Sequence, residues 1–229
     1  MTDIHSHILF GIDDGSKSIE ESLEIINKLS FLGFNNIICT PHFIEGTEYS
    51  ANNKEKENLL NELKKKTDVN LFLGNEIYIN TRIDKFIDNG YIMPINKKYL
   101  LIEFPMHNEI KDAIDIFYEL QVMGYTVILA HPERYTFFQE NYKLIDKYHE
   151  KGILFQSNFG SANGMYGHEA EKLLKYLLKK GWIHFLGTDV HHSNSKLFED
   201  FAKIEKKLIK YAGKEYYQTI LDNGDKLIK

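Results

Sequence analysis

The chain has 229 residues, 43% of them hydrophobic, one cysteine and a formal net charge of -5 at pH 7. That length supports one sizeable core, so a single domain over 1–229 is expected. The acidic balance, with lysines scattered in helical patterns, gives no broad basic face for nucleic acid. Cys39 alone allows neither a disulfide framework nor a thiolate cluster. No apolar run approaches the roughly 20 residues that span a bilayer, and no leader precedes the first motif. Cytoplasmic localisation without membrane insertion is the expectation.

Short apolar runs predict seven strands, at 2–5, 36–40, 70–74, 99–104, 126–130, 153–157 and 183–187. Strand one ends at His5 and leads into His7, and the i, i+2 spacing in extended chain points both imidazoles to one side. The loop after it holds Asp13-Asp14-Gly15, a turn composition in which Asp14 is also a candidate ligand. Ser18-Ile19-Glu20-Glu21 reads as a capping box opening a helix to Leu32, with Ile19, Leu23, Ile26 and Leu29 on one face. Strand two leads into Thr40-Pro41-His42. A further helix ends at Lys64-Lys65-Lys66, read as a solvated terminus. Strand three leads into Glu76, strand four into His107, and strand five into His131-Pro132-Glu133-Arg134-Tyr135. Strand six ends in Gln156-Ser157-Asn158, able to line a site without binding metal, and strand seven leads into Asp189-Val190-His191. His192 should point away from the other ligands; His149, His168 and His184 read as structural.

Gly33, Gly124, Gly152 and Gly181 each close a helix-like segment just before a strand. The repeating unit is helix, glycine, strand, which favours a parallel sheet with helices outside, and the near-continuous apolar runs suit strands buried on both faces. Ligand-type residues then gather at the C-terminal strand ends, where such folds place their chemistry. A lone histidine is most simply a hydrogen-bonded residue; the repetition of this placement is what argues for a metal centre. Histidine and carboxylate without sulfur suit zinc, manganese or iron, and clusters meeting at one mouth could hold two or three ions.

Arginine occurs only at Arg82 and Arg134. Arg134 lies on the loop of a candidate ligand, where its fork matches a phosphate; the competing reading is a surface ion pair with Glu133 or a neighbour. Arg82 reads as structural. A thiol phosphatase needs an arginine six residues after its cysteine, but that position after Cys39 is Glu45, so Cys39 reads as a buried strand residue.

These motifs resemble the polymerase-and-histidinol-phosphatase superfamily. The stretches Phe10 to Ser18, Gly74 to Tyr78, Leu101 to Phe104 and His131 to Tyr135 are similar, more narrowly, to the bacterial metal-dependent protein-tyrosine phosphatases of capsular and exopolysaccharide operons. The resemblance implies a distorted seven-stranded (β/α)7 TIM-like barrel and a trinuclear centre. It implies His5, His7, Glu76 and Asp189 around one ion, Glu76, His107 and His131 around a second, and Asp14, His42 and His191 around a third. It gives Arg134 the role of gripping phosphate and puts Lys196 where a second phosphate-binding arginine is expected. The implied substrate is phosphotyrosine in the tail of a bacterial tyrosine kinase that controls polysaccharide export, hydrolysed by a metal-bound hydroxide. The alternatives are a small-molecule phosphomonoesterase of the histidinol-phosphatase type, a phosphodiesterase, and a non-catalytic metal-binding interaction module.

Overall fold

The computed structural model describes residues 1–229. Its strands are β1 (Thr2–Ser6), β2 (Asn36–Cys39), β3 (His42–Phe43), β4 (Asn70–Leu73), β5 (Glu76–Tyr78), β6 (Tyr99–Glu103), β7 (Thr126–Ala130), β8 (Leu154–Asn158) and β9 (Ile183–Gly187). Between and after them run the helices α1 (Ile19–Phe31), α2 (Asn53–Lys64), α3 (Ile83–Asp88), α4 (Ala113–Val122), α5 (Thr136–Glu140), α6 (Lys143–Glu150), α7 (His168–Lys180), α8 (Leu197–Ala212) and α9 (Lys214–Leu227). No helix is long and apolar enough to cross a membrane.

The seven expected strands are present, and every pairing between strands is parallel. The expected seven-stranded closed barrel is corrected, however: nine strands form a three-stranded sheet, β1-β2-β4, and a six-stranded sheet, β3-β5-β6-β7-β8-β9. The two additional strands arise where the chain breaks and crosses between sheets. Pro41, which has no N–H to donate, separates β2 from β3, and Gly74-Asn75 separates β4 from β5. On the opposite side the sheets touch through Asp189 N donating to His5 O (2.8 Å) and His7 N donating to Val190 O (2.9 Å). Those bonds join β1 to the segment after β9 without making one continuous ladder.

Alternation along the strands buries both faces. Ile4, Ile38, Leu101, Ile128 and Phe185 form one apolar cluster, while Ile37, Cys39, Leu100, Ile102, Val127 and Leu129 belong to the larger core with helix residues such as Ile25, Ile26 and Leu29. Ser18 caps α1 by accepting from Glu21 N (3.2 Å), but the Glu21 carboxylate accepts from Lys17 N, so only the serine half of the capping box forms. Lys64, Lys65 and Lys66 are exposed at the end of α2. Tyr217 is buried and Tyr216 donates to Ile183 O (2.6 Å), so the C-terminal tyrosines pack. Arg82 pairs with Glu45.

The crossover between sheets is pinned by a buried lysine that helix patterning does not reveal. Lys56 of α2 donates to Asn75 Oδ1 (2.6 Å) and Tyr91 O (2.7 Å), and Asn75 Nδ2 donates to Pro41 O (2.9 Å). One network thus ties together the two breaks that precede His42 and Glu76. Burial pushes the Lys56 ammonium down to about 7. The unfolded lysine keeps its proton to about pH 10.4, so between those values the unfolded chain binds more protons and folding stability rises with pH. Urea titrations at pH 7 and 9 will show Lys56→Met lacking this rise, which is at most about 1.4 kcal/mol per pH unit in wild type. Equal slopes in both proteins would contradict it.

Candidate metal centre

His5 and His7, two residues apart on and just after β1, are both buried and both face inward. Their outer nitrogens are committed: His5 Nδ1 meets Gln156 Oε1 at 2.9 Å and His7 Nδ1 meets Asp13 Oδ2 at 2.8 Å. Gln156 Nε2 donates to Asn158 Oδ1 (2.9 Å), which turns the amide oxygen toward His5. Both Nδ1 atoms therefore carry the proton, as in metal-ligating histidines whose other nitrogen is held by a carboxylate or carbonyl. The two Nε2 lone pairs then lie 3.2 Å apart. At that separation they repel unless a cation shares them.

Glu76, the first residue of β5, sits at the middle of the histidines. Its Oε2 lies 3.0 Å from His5 Nε2, 3.1 Å from His7 Nε2 and 3.2 Å from His42 Nδ1, and its Oε1 lies 2.7 Å from His131 Nε2. Burial opposes its ionisation, yet His5, His42 and His131 hold its carboxyl well below the usual range. Burial likewise opposes a charged His42, and the Glu76 carboxylate still pulls its pKa up to about 9. The pocket draws positive charge, the condition for holding divalent cations. Asp189 adds to this field: its Oδ1 lies 3.6 Å from His5 Nε2 and 3.4 Å from His7 Nε2. Its Oδ2 accepts from Asn158 Nδ2 and Arg134 Nη1, both at 2.7 Å.

Three donor groups follow. One joins His5, His7, Glu76 and Asp189, a second joins His7, Asp14, His42 and His191, and a third joins His42, Glu76 and Glu103. In the second, Asp14 Oδ1 is 3.5 Å from His42 Nε2 and 3.4 Å from His191 Nε2. The residues present thus fit divalent ions. His131 and Asp189 hold left-handed backbone conformations, φ 29° and 53°, that non-glycine residues seldom adopt, at the strand ends where ligands converge. Gly187 is required nearby, since a Cβ there would lie 2.5 Å from His5 Cβ.

Nine of the sequence candidates therefore meet at the centre or its edge: His5, His7, Asp14, His42, Glu76, His131, Asp189, His191 and Arg134. His107 does not. It is exposed on the turn after β6, its nearest polar partner being Thr136 Oγ1 at 3.5 Å from Nδ1. Its expected place is taken by Glu103, the last residue of β6, whose Oε1 lies 3.1 Å from His42 Nδ1. Glu103 was legible as a strand-end carboxylate, the same signal that marks Glu76. Asp13 was a second omission; besides orienting His7 it accepts from His42 N (3.1 Å) and Gly15 N (3.0 Å). Lys196 is exposed at the start of α8 and lines no part of the central cavity. His192 turns away toward Glu21.

Arg134 is not paired with Glu133. Its guanidinium lies 4.5 Å over the Tyr166 ring and reaches Asp189, at the wall of a cavity of about 260 Å³. Glu133 is buried instead, accepting from Asn158 N (2.8 Å) and Ser161 Oγ (2.7 Å), and so ties the Arg134 turn to β8. A larger cavity, about 650 Å³, lies between α1 and the start of α8, and none of the clustered ligands lines it.

Parallel α/β architecture with a histidine–carboxylate centre at its strand ends, and an arginine beside it, defines the class as α/β proteins built for metal-assisted chemistry. Comparison narrows this to a family. The chain belongs to the capsular polysaccharide synthesis family CpsB/CapC, whose model matches residues 1–229. It is 37% identical to CapC of Staphylococcus aureus, over 98% of this chain and 89% of that one. Among solved structures it is similar to one from the pair YwqE of Bacillus subtilis and CpsB of Streptococcus pneumoniae, described as unique metal-dependent tyrosine phosphatases. The TM-score is 0.89 at 29% identity, covering 100% of this chain and 94% of that one. The histidinol phosphate phosphatase of Lactococcus lactis, at 19% identity and a TM-score of 0.61 over 93% of each chain, shares the fold.

Proposed function

We propose that this chain is a metal-dependent protein-tyrosine phosphatase acting on the tail of a bacterial tyrosine kinase that governs polysaccharide export. The observation that carries this reading is Glu76 with four imidazole nitrogens within 3.2 Å, Arg134 lining the same cavity. Similarity to proteins described as tyrosine phosphatases supports the substrate. The phosphatase domain is the whole of 1–229, and its lone buried cysteine suits work in the cytoplasm.

His5, His7, Asp14, His42, Glu76, Glu103, His131, Asp189 and His191 would hold two or three divalent ions, manganese first, zinc or iron otherwise. When bound, such ions polarise a phosphoryl group and lower the pKa of water to roughly 7. Gln156 and Asp13 keep the Nε2 lone pairs of His5 and His7 turned inward. Arg134, backed by Tyr166 and steadied by Asp189, presents N–H donors to phosphoryl oxygens and offsets charge that grows on them. A tyrosine phenolate, with a pKa near 10, leaves with little help from an acid. No covalent intermediate on a cysteine is involved, as Cys39 is buried and its thiol is pushed far up by that burial.

The metal-loaded protein, offered a phosphotyrosyl peptide, histidinol phosphate and a phosphodiester in parallel, should show its highest kcat/KM on the peptide. Higher kcat/KM on histidinol phosphate would replace this reading with a small-molecule phosphatase.

A further inference from the structure

The cavity beside the metal centre is two-sided. Arg134, Asp189 and His191, on the segments after β7 and β9, line one side; Ile44, Tyr49, Tyr78 and Met106 supply the apolar side. Ile44 and Tyr49 follow β3, Tyr78 ends β5 and Met106 follows β6, three neighbouring strands of the six-stranded sheet. All four are half-buried, each leaving surface toward the cavity. Tyr49 is held in place: Ile44 N donates to Tyr49 O (2.9 Å), Tyr49 N donates to Thr47 Oγ1 (3.1 Å), and its ring lies within 20° of parallel to the His42 ring, 6.0 Å between centroids. These four side chains share the cavity lining with His42, Glu76 and Glu103 of the same three strands.

We infer that Ile44, Tyr49, Tyr78 and Met106 form the subsite for the aromatic ring of the substrate and set the preference for aryl over alkyl phosphomonoesters. This rests on the phosphotyrosine reading above and gives it a physical basis. With a phosphate placed at Arg134, the adjoining ring can pack against these apolar and aromatic side chains. A phosphoserine with its phosphate at the same place carries no group that reaches the wall. The cavity, about 260 Å³, is smaller than the roughly 300–1,000 Å³ typical of drug-sized ligands, which suits one side chain presented from a flexible tail.

Wild type, Tyr49→Ser and Met106→Ser, each loaded with manganese, are compared on two peptides identical except for phosphotyrosine or phosphoserine, with bound metal counted in each protein. Loss of apolar contacts in a substrate pocket changes discrimination by about tenfold or more. The expected result is a wild-type preference for phosphotyrosine that falls about tenfold in both variants, carried by KM on the phosphotyrosyl peptide. If Tyr49→Ser also loses metal through His42, Met106→Ser decides. A wild-type preference that persists in Met106→Ser and in metal-replete Tyr49→Ser overturns the subsite and leaves the phosphatase reading intact. No phosphotyrosine turnover by wild type overturns both.

Discussion

Glu76→Gln will lower kcat/KM for phosphotyrosine hydrolysis by more than about a hundredfold, exceeding the roughly 10- to 100-fold cost of losing a residue that only orients a ligand. The reason is position. Both Glu76 oxygens face imidazole nitrogens, Oε2 toward His5, His7 and His42 and Oε1 toward His131, so the carboxylate belongs to two of the three donor groups. Glutamine keeps the shape but presents a neutral amide, and the field that draws cations into the cavity is lost. Metal analysis of the purified variant should show fewer bound ions than wild type. Gln156→Ala gives the contrast: it frees the His5 ring without removing a ligand and should cost no more than the outer-residue range. Equal metal content and activity in Glu76→Gln and wild type would remove Glu76 from the centre.

Arg134→Ala comes second, with an expected loss of about 10²- to 10³-fold in kcat, the usual cost of one donor aimed at charge developing in a transition state. A loss confined to KM would show that Arg134 only binds the ground state. Arg134→Lys should recover little, because an ammonium supplies charge without the planar fork that the guanidinium carries over the Tyr166 ring. The variant also removes one of the two donors to Asp189 Oδ2, and Asn158 retains the other. Bound metal in Arg134→Ala should therefore stay close to wild type while turnover collapses. Turnover within a few-fold of wild type would assign Arg134 to structure.

Much of this site could be read from the sequence because its residues obey strand geometry. His5 and His7, at i and i+2, face one side, Asp189 and His191 follow the end of β9, and Glu76 opens a strand after the Gly74-Asn75 break. His107 was misplaced because chain position after an apolar run does not say where the strand stops. Glu103 is its last inward residue, and the Pro105 turn carries His107 to the surface. Seven strand positions were evident, but the split into two sheets was not, since it depends on how Pro41 and Asn75 satisfy backbone groups across the crossover. Lys56, the anchor of that crossover, looks like any surface lysine in a helix whose mean pattern is polar. The partners of Arg134 were hidden for a different reason: Tyr166 reaches it from the turn after β8 and Asp189 from after β9, and no local pattern links those segments.

Hydrolysis through divalent metal at the histidine–carboxylate centre is tested by phosphotyrosyl-peptide turnover of chelator-stripped protein before and after titration with manganese, alongside His5→Ala. The prediction is negligible turnover by the stripped protein, recovery that saturates at two to three ions per chain, and no recovery in His5→Ala. Undiminished turnover by the stripped protein, or full recovery in His5→Ala, would contradict the account.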